Sequence, residues 1–419
     1  MKKQDIYNYI KGLLPNKIRI FLSIIKRQIQ NIVESGLMVR GWFWKRHTKT
    51  EPKGLVTVCF VAVEPQTWNS LKPVYDAMKE DDRFNPYIIT VPNKDGVKEM
   101  KYFLEEANYE IIDAFESESV LDIRTLSPDI IFIQTPYDWM YPVQYRSKNL
   151  VKVAPIYYIP YCYDLCDGEH LDVQYHRLFL SNVSCIFASN SYEYKYCLNK
   201  LKRSIYTSNI MTYDVGYPRF DICANVVQSD RIMTFTWLPR WNFYDSTNYK
   251  SSFLKYFDVL KKYFDNHKSL RLIIRPHPMM FDYILTNGIL SVEEVNKIKK
   301  SINLSDNIQF DTNYDYYETF KETDVLISDH SSLLAEFYFM KKPILYCGEY
   351  TGYNNITKKM LDEFVRIDSI ETLIYNLDQI QDKNFYNEKR CSGNPLSEKN
   401  IASSVAKQIS DVCYSLCTT

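Results

Sequence analysis

Glycine is scarce in this chain, with 11 among 419 residues, and neither G-x-G-x-x-G nor G-x-x-x-x-G-K-[ST] occurs. The first pattern seats a dinucleotide pyrophosphate on a helix start, and the second wraps nucleoside-triphosphate phosphates. Their absence argues against NAD-dependent enzymes and P-loop kinases. No run of about 18 apolar residues is present, so hydropathy offers no membrane-spanning helix. Near the N-terminus Lys11, Lys17, Arg19, Lys26 and Arg27 interrupt every apolar stretch, and the unbroken core of a secretory signal is missing as well. Ten cysteines are present but no Cys-x-x-Cys pair. Cys162 and Cys166 lack the second pair that a zinc site needs. Cys59, Cys185 and Cys347 stand among apolar neighbours and read as reduced, buried thiols, as expected in the cytosol. No Asp-x-Asp sits at a suitable strand end, so the sequence calls for no metal and no cofactor. No nucleic-acid-binding module is recognisable, and nucleic acid is not an expected partner.

What is present divides unevenly along the chain. Length alone favours two domains, and a hydrophobic share of 46% with 24% charged residues sets disorder aside. Formal charge sums to zero, yet residues 1–50 hold eleven Lys and Arg against Asp5 and Glu34, a local +9 balanced by −9 over the rest. In that head Ile6, Ile10, Leu13, Leu14, Ile18, Ile20, Phe21, Ile24, Ile25, Ile29 and Ile32 recur at helical spacing, with Trp42, Phe43 and Trp44 beside Lys45 and Arg46. A basic amphipathic helix ending in aromatics predicts an arm lying on an anionic membrane surface.

From Gly54 the texture changes to short β-branched runs separated by amphipathic stretches. Leu55–Val63, Pro86–Val91, Glu110–Ile112, Ile130–Gln134, Val153–Ile159 and Cys185–Ala188 read as buried strands, and Ser70–Lys79 as a helix. The pattern restarts with Ile232–Trp237, Leu270–Ile274, Ile308–Phe310, Val325–Ser328 and Ile344–Tyr346. Helices are predicted at Tyr249–Asp265, Val292–Ile302 and Ser332–Lys341. Strands alternating with helices predict α/β lobes built on parallel sheets. The expected division is an arm over 1–50, a lobe over 51–215, a hinge near Gly216–Ser229, a second lobe over 216–395, and a packing helix over 396–419.

Four segments of the second half carry chemistry. In Leu272–Pro278 an apolar strand ends in Arg275-Pro-His-Pro, and the two prolines stiffen the backbone around His277. A histidine there stands where α/β sheets bind ligands and could donate to a phosphate oxygen or act as an acid. In Asp324–Ser332 a strand meets a helix through Ser328, Asp329, His330, Ser331 and Ser332, a hydroxyl-rich turn suited to a diphosphate. Glu336 follows one turn later and could accept from ribose hydroxyls. Gly216–Asp221 supplies Arg219, and Thr234–Trp241 supplies Arg240, each a candidate phosphate donor beside a strand end.

Together these segments resemble the CDP-glycerol glycerophosphotransferase family, the teichoic-acid polymerases and primases. The resemblance rests on GYPRFD at Gly216–Asp221, the Thr-Trp-Arg element within Thr236–Arg240, RPHP at Arg275–Pro278, SDHSS at Ser328–Ser332 and the following Lys342-Pro343. It covers roughly residues 150–350 and implies two Rossmann-like lobes facing a central cleft, the GT-B arrangement. It further implies a CDP-activated polyol donor in the C-terminal lobe, a lipid-linked or glycan acceptor between the lobes, and attachment to the cytoplasmic face of the membrane. Displacement at the donor's β-phosphate would release CMP. His277, Ser331 and Ser332 would face phosphate oxygens, with Arg240 and Arg275 as further donors and Glu336 on the ribose.

One departure stands out. The family's N-terminal lobe carries a His-Gly pair whose histidine serves as base, whereas this chain reads Tyr157–Cys162, with Tyr161 in the histidine's place. An ordinary tyrosine, with a pKa near ~10, is a poor base at neutral pH. Asp164, Glu169 and His170 follow closely as substitutes, and the sequence does not choose among them. Two alternatives stay open: a GT-B glycosyltransferase using a nucleotide sugar, and a non-catalytic polysaccharide-assembly protein that kept the cleft. Whether the chain forms a homo-oligomer is open too.

Overall fold

The computed structural model describes residues 16–48, 54–117, 119–223, 232–243, 250–393 and 404–418. The Val- and Ile-rich runs form two all-parallel sheets. The first contains β1 Val56–Ala62, β2 Phe84–Thr90, β3 Ile111–Asp113, β4 Ile130–Ile133, β5 Ile156–Tyr158, β6 Val183–Ala188 and β7 Met211–Asp214. The second contains β8 Met233–Leu238, β9 Leu270–Ile274, β10 Ile308–Phe310, β11 Val325–Ser328, β12 Ile344–Tyr346 and β13 Val365–Arg366. Their orders are β3-β2-β1-β4-β5-β6-β7 and β10-β9-β8-β11-β12-β13. Each sheet winds outward one way through its first three strands and then returns to wind the other way. The crevices between β1 and β4 and between β8 and β11 are therefore the switch points where such sheets bind ligands. β7 and β13 were not anticipated. Both are short edge strands of mixed polarity and partial burial, without the apolar run that marks a central strand.

Helices cover both faces. In Phe253–Asn266 the buried residues Phe253, Tyr256, Phe257, Leu260, Tyr263 and Phe264 keep helical spacing and join the core beneath β8 and β9. The last helix, Val405–Thr418, returns to the first lobe. There Val405, Ala406, Ile409 and Cys413 pack with Val58, Phe60, Trp68 and Val74. Its start is capped by Asp221, which accepts from the N–H groups of Val405 and Ala406, both at 2.9 Å, and from Ser404 Oγ at 2.7 Å. Gly216, at φ +98°, lets the chain turn beneath Val405, whose Cγ2 a Cβ would meet at 3.3 Å. GYPRFD is thus a crossover knot between both lobes and the final helix.

The arm is a helix over Asn16–His47. Gly41 lies so close to Ser181 and Asn182 that a Cβ would collide with both. Lys45 Nζ donates to the Tyr206 carbonyl at 3.2 Å, Trp44 packs on the first core, and Thr48 Oγ1 donates to the Val151 carbonyl at 2.9 Å. Burial pushes the Lys45 ammonium down to about 7, with nearby Arg46 adding to the shift. Upstream of this anchorage Ile29, Ile32, Val33 and Val39 are exposed.

Candidate functional site

The second switch point is assembled by a buried carboxylate. Asp329, at the end of β11, accepts from the backbone N–H of Arg240 and of Ser252, both at 2.8 Å, and its own N–H donates to the Leu238 carbonyl at 3.2 Å. Enclosure raises its pKa to about 6, opposed by these hydrogen bonds and by Arg240. The loop after β8 is thereby tied to the loop after β11. It is also tied to the loop after β9, because the N–H of His277 donates to the Pro239 carbonyl at 3.2 Å. Arg240 Nε donates to Asn242 Oδ1 at 2.6 Å and Nη1 to the His330 carbonyl at 3.3 Å, which sets the guanidinium between the two loops.

His277 stands exposed at this mouth, with Trp241 beside it at 6.2 Å between ring centroids. Its Nδ1 accepts from the Met279 N–H at 3.2 Å, so the neutral ring carries its proton on Nε2. Desolvation by flanking atoms, and then the Arg240 charge, pushes the imidazole down to about 4. At neutral pH it is an uncharged N–H donor. Ser331 and Ser332 lie half-buried on the adjoining turn, where Ser331 Oγ accepts from the Leu333 N–H at 3.3 Å.

The first switch point is clamped in a parallel way. Gln134, buried at the end of β4, accepts through Oε1 from the N–H of Val63 at 2.6 Å and of Glu64 at 3.1 Å, and returns Nε2 to the Glu64 carbonyl. Around this crevice Tyr137 and Tyr161 share a hydroxyl contact of 3.2 Å, and Lys94 lies over the exposed Trp139 ring at 5.2 Å. Besides the GYPRFD knot, the described residues of the two lobes meet at further seams. Leu165–Asp167 pairs with Gly352–Asn354 through an antiparallel bridge between Cys166 and Tyr353, with Asp167 N–H on the Gly352 carbonyl at 3.0 Å. Across the cleft Phe103 meets Tyr314 edge-on at 6.0 Å.

No family profile matches the chain, and no curated protein of similar sequence does either. Solved structures match over most of their length. Staphylococcus aureus MnaA with UDP aligns at 11% identity and a TM-score of 0.55, covering 87% of this chain and 98% of that one. The UDP-GlcNAc 2-epimerase of Neisseria meningitidis bound to UDP-GlcNAc aligns at 11% and 0.53, covering 85% and 99%. The wall teichoic acid polymerase TagF aligns at 14% and 0.51, covering 96% and 98%. The fold is GT-B. Identities this low establish the architecture and nothing finer.

Within the GT-B cleft the structure sorts the residues that the sequence nominated. Arg240, His277, Ser331 and Ser332 come together at the second switch point. Arg275 lies one step away, its fork committed to Asp311 Oδ2 and the Asn313 carbonyl, both at 2.7 Å, so it contributes charge more than open donors. Ser328 is enclosed, with Oγ donating to the Asp329 carbonyl at 2.7 Å; Asp329 and Ser328 shape the loops and do not line the mouth. Arg219 needs correction as a phosphate ligand. It is 1% exposed, bonded to Asp315 at 3.2 Å and Glu336 at 3.4 Å, and flanked by the rings of Tyr316 and Tyr317. Glu336 is corrected likewise. Tyr316 Oη at 2.6 Å and Arg219 occupy its two oxygens, leaving nothing for a ribose. Asp164 is buried in the seam, accepting from the Cys166 N–H at 2.9 Å, and is not placed as a base. Burial holds the Tyr161 phenol well above its ordinary value, which removes it too. Glu169 and His170 fall on the helix Gly168–Gln174, and their side chains lie outside the described residues.

From sequence alone Gln134, His330 and Glu64 carried no individual role. His330 bridges the lobes, with Nδ1 2.7 Å from Tyr353 Oη and Nε2 3.7 Å from Cys166 Sγ. The only advance signal for Glu64 was its position after the longest apolar run.

Proposed function

We propose that the chain is a transferase of bacterial cell-surface polymer synthesis. In this reading it moves a glycerol-phosphate or related polyol-phosphate group from a CDP-activated donor to a lipid-linked or glycan acceptor. The observation that carries the reading is the convergence of three separate motif segments, Trp237–Arg240, Arg275–Pro278 and Ser328–Ser332, on one switch-point crevice. A diphosphate there would meet Arg240, the His277 Nε2–H and the Ser331 and Ser332 hydroxyls. Attack by an acceptor hydroxyl on the β-phosphorus would expel CMP, and fixed donors would stabilise the charge that grows on the phosphoryl oxygens. Incubating the full chain with CDP-glycerol, CDP-ribitol, UDP-GlcNAc and a CMP-sugar, and following nucleotide release, tests this. CMP release from a CDP-polyol is expected; turnover confined to nucleotide sugars overturns it. That second reading is favoured by fold neighbours bound to UDP and UDP-GlcNAc.

The arm supports work at the cytoplasmic face of the membrane. No helix among the described residues is long and apolar enough to cross a bilayer. Ile29, Ile32, Val39 and Phe43 instead form an exposed stripe along one basic helix. A truncation should stop short of Gly41, because residues from there onward pack on the first lobe. Removing residues 1–35 is expected to abolish sedimentation with phosphatidylglycerol vesicles while sparing turnover of a soluble acceptor; unchanged sedimentation rejects the membrane role.

A further inference from the structure

Among the described side chains, neither candidate nearest the expected place serves as acceptor-side base: Asp164 is buried in the seam, and the half-buried Tyr161 keeps its phenol protonated. Resting on the transferase reading above, we propose that Glu64 is the base that takes the proton from the acceptor hydroxyl.

Three observations place it. Glu64 lies two positions past the end of β1, so it stands at the switch point of the first sheet, on the cleft side where its strands end. The Gln134 amide holds both its N–H and its carbonyl, which fixes the backbone while leaving the side chain out of the clamp. The carboxylate itself is half-buried, makes no side-chain hydrogen bond or ion pair within the described residues, and does not cap the helix Pro65–Trp68 that follows. An uncommitted acid on a rigid backbone is unusual. Acids kept for structure, such as Glu193 and Glu336 here, have both oxygens engaged by backbone or side-chain donors.

The surroundings link this acid to the donor side. Lys94 and Glu99 are the charged groups whose fields reach it. Glu99 also acts on Tyr314, whose ring meets Phe103 from the same helix as Glu99. Tyr314 follows Asn313, whose carbonyl holds Arg275 of the RPHP turn. The other neighbour, Lys94, covers the Trp139 ring, an exposed aromatic face beside Tyr137 and Tyr161 on which a sugar or polyol could lie. Desolvation raises the Glu64 carboxyl, Glu99 adds to the rise and Lys94 opposes it, a direction that makes the carboxylate a stronger base than an exposed one.

The step balances without a further reactant. The acceptor O–H breaks and its proton passes to a Glu64 oxygen. The freed electron pair forms the O–P bond, and the bridging P–O bond breaks with its pair departing on CMP. Glu64 then returns the proton to solvent.

The test uses the full chain, CDP-glycerol and a short glycerol-phosphate oligomer. Glu64→Gln is expected to lower kcat about 10²- to 10⁴-fold, with CDP affinity and Tm unchanged. Glu64→Asp should recover part of the rate and move the acidic limb of the kcat profile to lower pH, because an aspartyl group is the stronger acid. Wild-type turnover matched by Glu64→Gln overturns the assignment and leaves the transferase reading standing. A rate loss accompanied by lost CDP binding or a lowered Tm overturns it in favour of a structural role. No turnover by the wild type with any CDP-polyol overturns the transferase reading itself, and this step with it.

Discussion

Replacing His277 with alanine is expected to lower kcat about a hundred- to a thousandfold while leaving the fold intact, a loss of the size seen when one preorganised donor to a developing oxyanion is removed. The fold should survive because the ring is exposed and the contacts that hold the RPHP turn are made by its backbone: His277 N–H to the Pro239 carbonyl at 3.2 Å and Met280 N–H to the His277 carbonyl at 2.8 Å. His277→Gln keeps an N–H donor and should recover part of the rate. Near-normal turnover by the alanine variant would show that the neutral imidazole donor is dispensable. The pH dependence has a defined sign. With the imidazole pushed down to about 4, the free protein carries it neutral throughout the neutral range. The kcat/KM profile should therefore show no limb from His277 near the ordinary histidine value. The negative charge of a bound diphosphate offsets the Arg240 field and favours the imidazolium, so any limb from this residue belongs to the donor complex.

The second large effect is on stability. Arg219→Ala is expected to cost about 3–5 kcal/mol, since it leaves the buried Glu336 without its cation. For lobes of this size that is a fall in Tm of roughly 10 °C. The paired change Arg219→Met with Glu336→Met should cost less than the sum of the two single changes, because neither charge is then stranded. Thermal melts of the three variants check this, and simple additivity rejects the ion pair as the unit. Burial already raises the Glu336 carboxyl above its ordinary value, and loss of Arg219 removes the main opposing influence. A carboxyl raised in the folded state takes up its proton before the unfolded chain does, so stability rises as pH falls from the folded to the unfolded pKa. The Arg219→Ala deficit should accordingly be smaller in acid than at neutral pH.

At the candidate site two neighbours act in opposite senses. Asp329, raised to about 6, favours folding as pH drops from there toward its unfolded value. His277, lowered to about 4, opposes folding as pH drops below the ordinary histidine value, because the unfolded chain binds a proton that the folded one refuses. Their contributions in mild acid have opposite signs, and solvent screening makes that of the exposed His277 the smaller.

The arm, the two α/β units and most central strands were legible because their signals are local. β1, β9 and β11 are largely buried on both faces and read as apolar runs, interrupted only by Thr57, Arg271 and the closing Ser328. Edge strands β7 and β13 lack that run and were missed. The roles of charged motif residues were less legible. Arg219, Asp221 and Glu336 have the residue types of a phosphate and ribose site, and the same types serve to knot GYPRFD, the last helix and the helix Leu333–Phe339 together. Burial separates those uses, and burial is a property of the packed molecule.

By itself the sequence determined that this protein is a pair of parallel-sheet lobes with a basic helical arm, because periodicity and apolar runs dictate which segments can bury which faces. Only the tertiary structure decided which loops share a crevice. Sheet order brings Arg240 beside Asp329, 89 positions further along the chain, and leaves Glu64 at the opposite switch point. Strand order follows from which faces pack best in three dimensions, a long-range choice that no local run of residues encodes.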